Sequence, residues 1–151
     1  MPAINLTEIY KIAIAADHAG SDLKTQVSAQ LRSMGHDVLD LGTNSSIPPV
    51  DYPDYAKLVC EQLVDENVDF GVLICGSGIG MSIAANRFSQ IRAALCTNAK
   101  LAFFARAHTD ANLLVLAARF NTFEEVKLIV DNFFTTGFEG ARHANRIAKL
   151  G

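Results

Sequence analysis

The sequence predicts an α/β fold: a single doubly wound domain, flavodoxin- or Rossmann-like, with a five-stranded parallel sheet, helices on both faces and a C-terminal helix. Three observations predict it. Short apolar runs alternate five times with segments whose apolar residues recur at helical spacing. The runs are continuously apolar, as strands covered on both faces require. The chain has 151 residues, the length of one domain, and contains no internal repeat or linker.

Each element has its own signal. Residues 10–16 (YKIAIAA) form an apolar run that ends at Asp17. Leu23, Val27 and Leu31 follow at helical spacing, and Gly35 fits a C-cap. Residues 37–41 read as the second strand, and the polar, Pro-rich stretch 42–53 as a loop. Pro53 can open the next helix, because its missing N–H has no partner there anyway. Tyr55, Leu58, Val59 and Leu63 supply that helix's apolar stripe. Residues 68–75 (VDFGVLIC) form the third strand, broken by Gly76-Ser77-Gly78-Ile79-Gly80, and a helix restarts over 81–87. The fourth strand spans 91–96, the fourth helix 100–107 and the fifth strand 112–117. Thr122-Phe123-Glu124-Glu125 has the spacing of a capping box, with Val126, Ile129, Val130 and Phe133 as the core face behind it. A last helical segment runs from about Gly140 to the end.

Composition excludes several function classes. Half the residues are hydrophobic and 19% are charged, which supports a core and excludes disorder. The formal net charge of −3 excludes a nucleic-acid binder with a broad basic face. No run approaches the roughly 20 apolar residues of a membrane span. Residues 1–10 lack the basic and apolar regions of a signal peptide. The expectation is a cytoplasmic domain over 1–151, with 1–9 as an N-terminal extension. Cys60, Cys75 and Cys96 stand singly, against a disulfide framework, a zinc site or a thioredoxin motif.

In doubly wound sheets the ligand sits beyond the carboxyl ends of the strands, where the strand order reverses. With a flavodoxin-like order, the first and third strands meet there. Asp17 and His18 then lie beside Cys75 and the glycine loop. That loop leads into a helix N-terminus, a place for a phosphate or a reaction oxyanion. Its spacing is neither the dinucleotide fingerprint nor a P-loop; a tight turn without a ligand is the alternative. Cys75 reads as a core hydrophobe at a strand end, or as a thiolate favoured by the helix start. Asp17 reads as a helix cap or as an acid–base group. Cys60, mid-helix on a polar–apolar boundary, and Cys96 read as structural. His108 reads as a core-facing or C-capping residue. Its helix returns to the amino edge of the sheet, so a catalytic His108 would act in a neighbouring subunit. Arg142 and Arg146, four apart, share a helix face. They form a solvated basic face or a grip on a phosphate dianion. Arg119, just past the fifth strand, is a third cationic candidate.

Five motifs in order carry a family resemblance: Asp17-His18-Ala19-Gly20; Gly42-Thr43 with Asp51-Tyr52-Pro53; residues 75–80 with Ala84-Ala85-Asn86; His108-Thr109-Asp110-Ala111-Asn112; and Gly140-Ala141-Arg142-His143. Over residues 11–149 the chain resembles type B ribose-5-phosphate isomerases, a family that includes galactose-6-phosphate isomerase subunits. The resemblance implies interconversion of D-ribose 5-phosphate and D-ribulose 5-phosphate through an enediolate, without metal or organic cofactor. It also implies a homodimer or dimer of dimers with shared sites. By resemblance, Cys75 is the carbon base and His108 opens the sugar ring from the partner chain. Asp17 handles hydroxyl protons, and Ser77 relays a proton or binds the same region. The amides of Gly76, Gly78 and Gly80 hold the oxyanion. Tyr52, Asn86 and Thr109 contact the sugar, and His18, Arg119, Arg142 and Arg146 bind the phosphate.

Some relatives carry a Glu base just after the glycine loop. Met81 stands there in this chain, which points to the cysteine type. Thr109 replaces the usual Asn and bears on sugar choice. Ala118 and Ala141 replace usual glycines and are expected to adjust packing. Isomerisation of allose 6-phosphate or galactose 6-phosphate, and a non-catalytic module that binds a sugar phosphate or nucleotide, are the alternatives.

Overall fold

The computed structural model describes residues 8–151; most of the expected extension 1–9 lies outside them. Five strands, β1 (Lys11–Ala16), β2 (Asp37–Asp40), β3 (Phe70–Cys75), β4 (Ala93–Leu95) and β5 (Leu113–Ala117), alternate with the helices. These are α1 (Ser21–Ser33), α2 (Tyr52–Val64), α3 (Ile79–Ala85), α4 (Ala99–Thr109), α5 (Phe123–Thr135) and α6 (Arg142–Ala148). All strand pairs are parallel, in the order β2-β1-β3-β5-β4.

This order keeps β1 beside β3, as expected, but exchanges the last two strands of the flavodoxin order. Burial gives the reason. Every residue of β5 (LLVLA) is buried, so it belongs inside the sheet, whereas β4 (AAL) has three half-buried residues and lies at the edge. Right-handed crossovers then distribute the helices. Steps toward β2 put α1 and α4 on one face with α5; steps the other way put α2 and α3 on the opposite face.

Alternate strand residues feed two cores. Ile12, Ile14, Val72, Ile74, Leu114 and Leu116 pack under α1, α4 and α5. Ala13, Ala15, Leu73, Cys75, Leu113 and Val115 pack under α2 and α3. The Cys75 thiol therefore belongs to the α2–α3 face, with Met81 as a neighbour in that core.

Several local expectations change. Leu58 is 41% exposed, and α2 buries Ala56, Val59 and Cys60 instead. Helix α3 begins at Ile79, so Gly80 is helical rather than part of the loop. The Thr122 capping box forms in full. Burial pushes the thiols of Cys60 and Cys96 up to about 12 (Glu61 adds to this at Cys60). Both therefore stay protonated and inert, as their structural reading expects.

One buried cation joins α1 to the end of β2 and the loop that follows it. Lys24 is 1% exposed, and its Nζ donates to Asp40 Oδ2 at 2.6 Å, Asp40 Oδ1 at 2.8 Å and Asn44 Oδ1 at 3.0 Å. All three ammonium protons are matched, which burial of a charge demands.

Candidate active site

A cleft of about 430 Å³ opens at the carboxyl ends of β1 and β3. It brings together Asp17, Tyr52, Cys75, Gly76, Ser77, Gly80 and Arg119. Asp17 is buried, and its Oδ1 accepts from the Ala19 and Gly20 amides at 2.9 and 3.1 Å. The N-cap of α1 is Gly20, with no side-chain cap, so Asp17 braces the turn before the helix rather than capping it, and lies in the cleft.

Cys75 ends β3 with 5% exposure. The Gly78 amide donates to its Sγ at 3.2 Å. Gly78 has φ of 76°, and a side chain there would collide with Leu95, so only glycine turns this amide back onto the sulfur. The Ile79 amide donates to Ser77 Oγ at 3.2 Å. One of the three amides expected to hold an oxyanion, that of Gly78, is thus directed at Cys75.

Arg119 is fixed to this loop by backbone bonds. The Ala118 amide donates to the Cys75 carbonyl and the Arg119 amide to the Gly76 carbonyl, both at 2.9 Å. The guanidinium of Arg119 lies against Gly76. The Tyr52 ring occupies the space where any side chain at Gly80 would stand. Phe120, 71% exposed, lines the rim and had no sequence signal beyond its place after Arg119. His18 stands at the same strand edge, where its Nδ1 accepts from the Val50 amide at 3.1 Å. Its neutral form then keeps the proton on Nε2, ready to donate to an anion.

The remaining candidates form a second group. A larger cavity, about 660 Å³, is lined by Asn86, Leu101, Phe104, His108, Thr109 and Ile147 among others. His108 lies in the last turn of α4, and its Nε2 is 3.1 Å from Glu139 Oε2. Its ring stacks on His143, with centroids 4.1 Å apart and planes 16° apart. Arg142 and Arg146 are exposed on α6, which packs against α4. Burial, then Arg142 and His108, hold His143 below the usual imidazole range.

Two of these residues are committed internally. The Asn86 amide bonds Ala93 twice, donating to its carbonyl at 3.0 Å and accepting from its N–H at 2.9 Å. It clamps β4 and is not in the Cys75 cleft. The Thr109 hydroxyl donates to the Ala105 carbonyl at 2.6 Å. Metal-type ligand atoms of His108, Glu139 and His143 lie within 4.8 Å of one another. However, two nearly parallel stacked rings share no point in both ring planes, where imidazole lone pairs lie. The arrangement is a hydrogen-bonded stack.

Fold and cleft together define a doubly wound α/β domain with a thiol, a carboxylate and a guanidinium at the β1/β3 switch point. Residues 12–150 match the family model described as Ribose/Galactose Isomerase, and the chain belongs to that family. It is 43% identical over 140 residues to ribose-5-phosphate isomerase B of Escherichia coli (strain K12), with 93% of each chain covered. A crystal structure of a Thermotoga maritima ribose 5-phosphate isomerase superposes with a TM-score of 0.90 at 50% identity, covering 93% of this chain and 97% of that one. The Mycoplasma genitalium ribose-5-phosphate isomerase B, solved with bound ribulose 5-phosphate, superposes at 0.89 and 42% identity, covering 95% and 94%. Among the described residues no helix is long and apolar enough to cross a membrane.

Proposed function

We propose that this chain, over 1–151, interconverts D-ribose 5-phosphate and D-ribulose 5-phosphate in the non-oxidative pentose phosphate pathway. The observation that carries the reading is the Cys75 sulfur, held by the Gly78 amide in one cleft with Asp17 and Arg119, in a chain of this family. Cys75 removes the C2 proton of the open-chain aldose, and the C–H electrons form the C1–C2 double bond as O1 becomes anionic. Cys75 then returns the proton to C1 while Asp17 moves the O2 proton to O1. Amides on the cleft wall, those of Ser77 and Gly80 among them, stabilise the enediolate oxygen.

His108 and the α6 arginines come from a second copy. Their position at the opposite sheet edge from Cys75 supports this. So do Ile79 and Ile83 on α3 and Leu101 and Phe104 on α4, exposed apolar residues flanking edge strand β4. The assembly is a homodimer or a dimer of dimers. His108 opens the furanose, and Arg142 and Arg146 bind the phosphate together with His18 and Arg119. Three free cysteines suit the cytoplasm.

The test is isomerisation of ribose 5-phosphate in deuterated water, against allose and galactose 6-phosphates. Turnover fastest with ribose 5-phosphate, and deuterium entry lost in Cys75→Ala while the sugar phosphate still binds, is the expected result. Binding without deuterium entry in the unaltered protein would make it a non-catalytic binding module.

A further inference from the structure

We propose that Glu139 is a positioning residue that sets the tautomer of His108 for ring opening. The proposal rests on the reading that His108 opens the sugar ring. Glu139 is fixed by its backbone before its side chain acts: its amide donates to the Ala107 carbonyl at 3.0 Å, at the end of α4 beside His108. This places Oε2 at 3.1 Å from His108 Nε2. A carboxylate only accepts, so Nε2 must carry the proton. Nδ1 is left as the basic nitrogen, the one able to take the anomeric hydroxyl proton.

The next residues complete the mount. Gly140 and Ala141 both adopt positive φ, 71° and 51°, and reverse the chain so that the His143 amide reaches the Gly140 carbonyl at 3.1 Å. The His143 ring then stacks on His108 from one side, and Phe104, one turn earlier on α4, lies against it at 4.8 Å. Buried His143 has an Nε2 with no partner, so its ring is placed by the stack and not by a hydrogen bond of that nitrogen. Segment 139–143 thus holds one imidazole by its edge and its face, while the ring remains 35% exposed.

The step assigned to His108 balances as follows. Nδ1 takes the O1 proton, the C1–O4 bond breaks as C1=O forms, and the ring oxygen O4 receives a proton from the imidazolium. The carboxylate stays ionised throughout and stabilises the imidazolium. Loss of such an orienting partner costs about 10- to 100-fold where the histidine is a metal ligand.

The test uses Glu139→Gln, with Glu139→Asp and His108→Ala for comparison. Nitrogen-15 NMR of the unaltered protein should show His108 protonated at Nε2, and Glu139→Gln should lose that preference. Glu139→Gln should slow net conversion of ribose 5-phosphate about tenfold or more. It should leave deuterium entry at C1 of ribulose 5-phosphate within about twofold, because that ketose, with O5 esterified, has no five-membered ring to open. Glu139→Asp should recover part of the loss. If His108→Ala separates the two rates but Glu139→Gln changes neither them nor the tautomer, the role of Glu139 is overturned. If His108→Ala does not separate them, the ring-opening reading of His108 fails first, and the role of Glu139 with it.

Discussion

Ala141 adopts φ of 51° and ψ of −127°, a backbone conformation that suits glycine and strains any residue with a Cβ. In sequence this alanine suggests only a packing adjustment; the angle makes it a strained turn residue. Glycine usually signals such a turn, and its absence removed the signal. The turn is exposed, so Ala141→Gly should fit without a clash. Relief of strain exceeds the added chain entropy, and the variant should gain about 1 kcal/mol, or about 3 °C in Tm by calorimetry. An unchanged or lower Tm would show the turn to be unstrained. Cys75 and Asp17 were readable as candidates because strand ends are readable. The Gly78 amide on Cys75 was not, because it depends on one loop's dihedral angles.

At the scale of elements, apolar runs located the strands, helical spacing located α1, α2 and α5, and the Thr122–Glu125 pair located the start of α5. The exchange of β4 and β5 was not legible, since the pattern gives strand existence and not lateral order. The turn between α1 and β2 hid another device. Buried His36 accepts from the Tyr10 amide at Nδ1 at 3.1 Å, stacks on Tyr10 and packs tilted against Phe134, and its burial lowers its pKa from the ordinary value of 6.5. The unfolded chain therefore binds the proton more readily than the folded one. Stability from the neutral ring is present above pH 6.5 and lost as pH falls through the lower folded value. Thermal melts between pH 7.5 and 5 should show Tm falling with pH by about 1–3 °C more than in His36→Asn, which keeps an acceptor but does not titrate. Equal slopes for the two proteins would remove His36 as the cause.

At the scale of the whole molecule, the candidate residues divide between opposite edges of one sheet. The sequence anticipated that division for His108 from the direction of α4, but not for Asn86, whose amide clamps Ala93. If a two-fold dimer completes each site, Cys75→Ala and His108→Ala chains should be nearly inactive alone. Unfolded together and refolded as an equal mixture, they should recover about a quarter of the unaltered activity, because half the dimers are mixed and each mixed dimer has one intact site. No recovery would place both residues in sites made by a single chain. The buried Lys24 ammonium has a consequence of another kind. Amine-acylating reagents need a free, solvated nitrogen, and Lys57, 69% exposed, offers one at once. Lys24 offers one only while Asp40 and Asn44 have swung away from α1. The loop that carries Asn44 also presents the Val50 amide to His18. Acylation of Lys24 relative to Lys57 is thus a clock within the chain, counting how often the wall beside His18 opens.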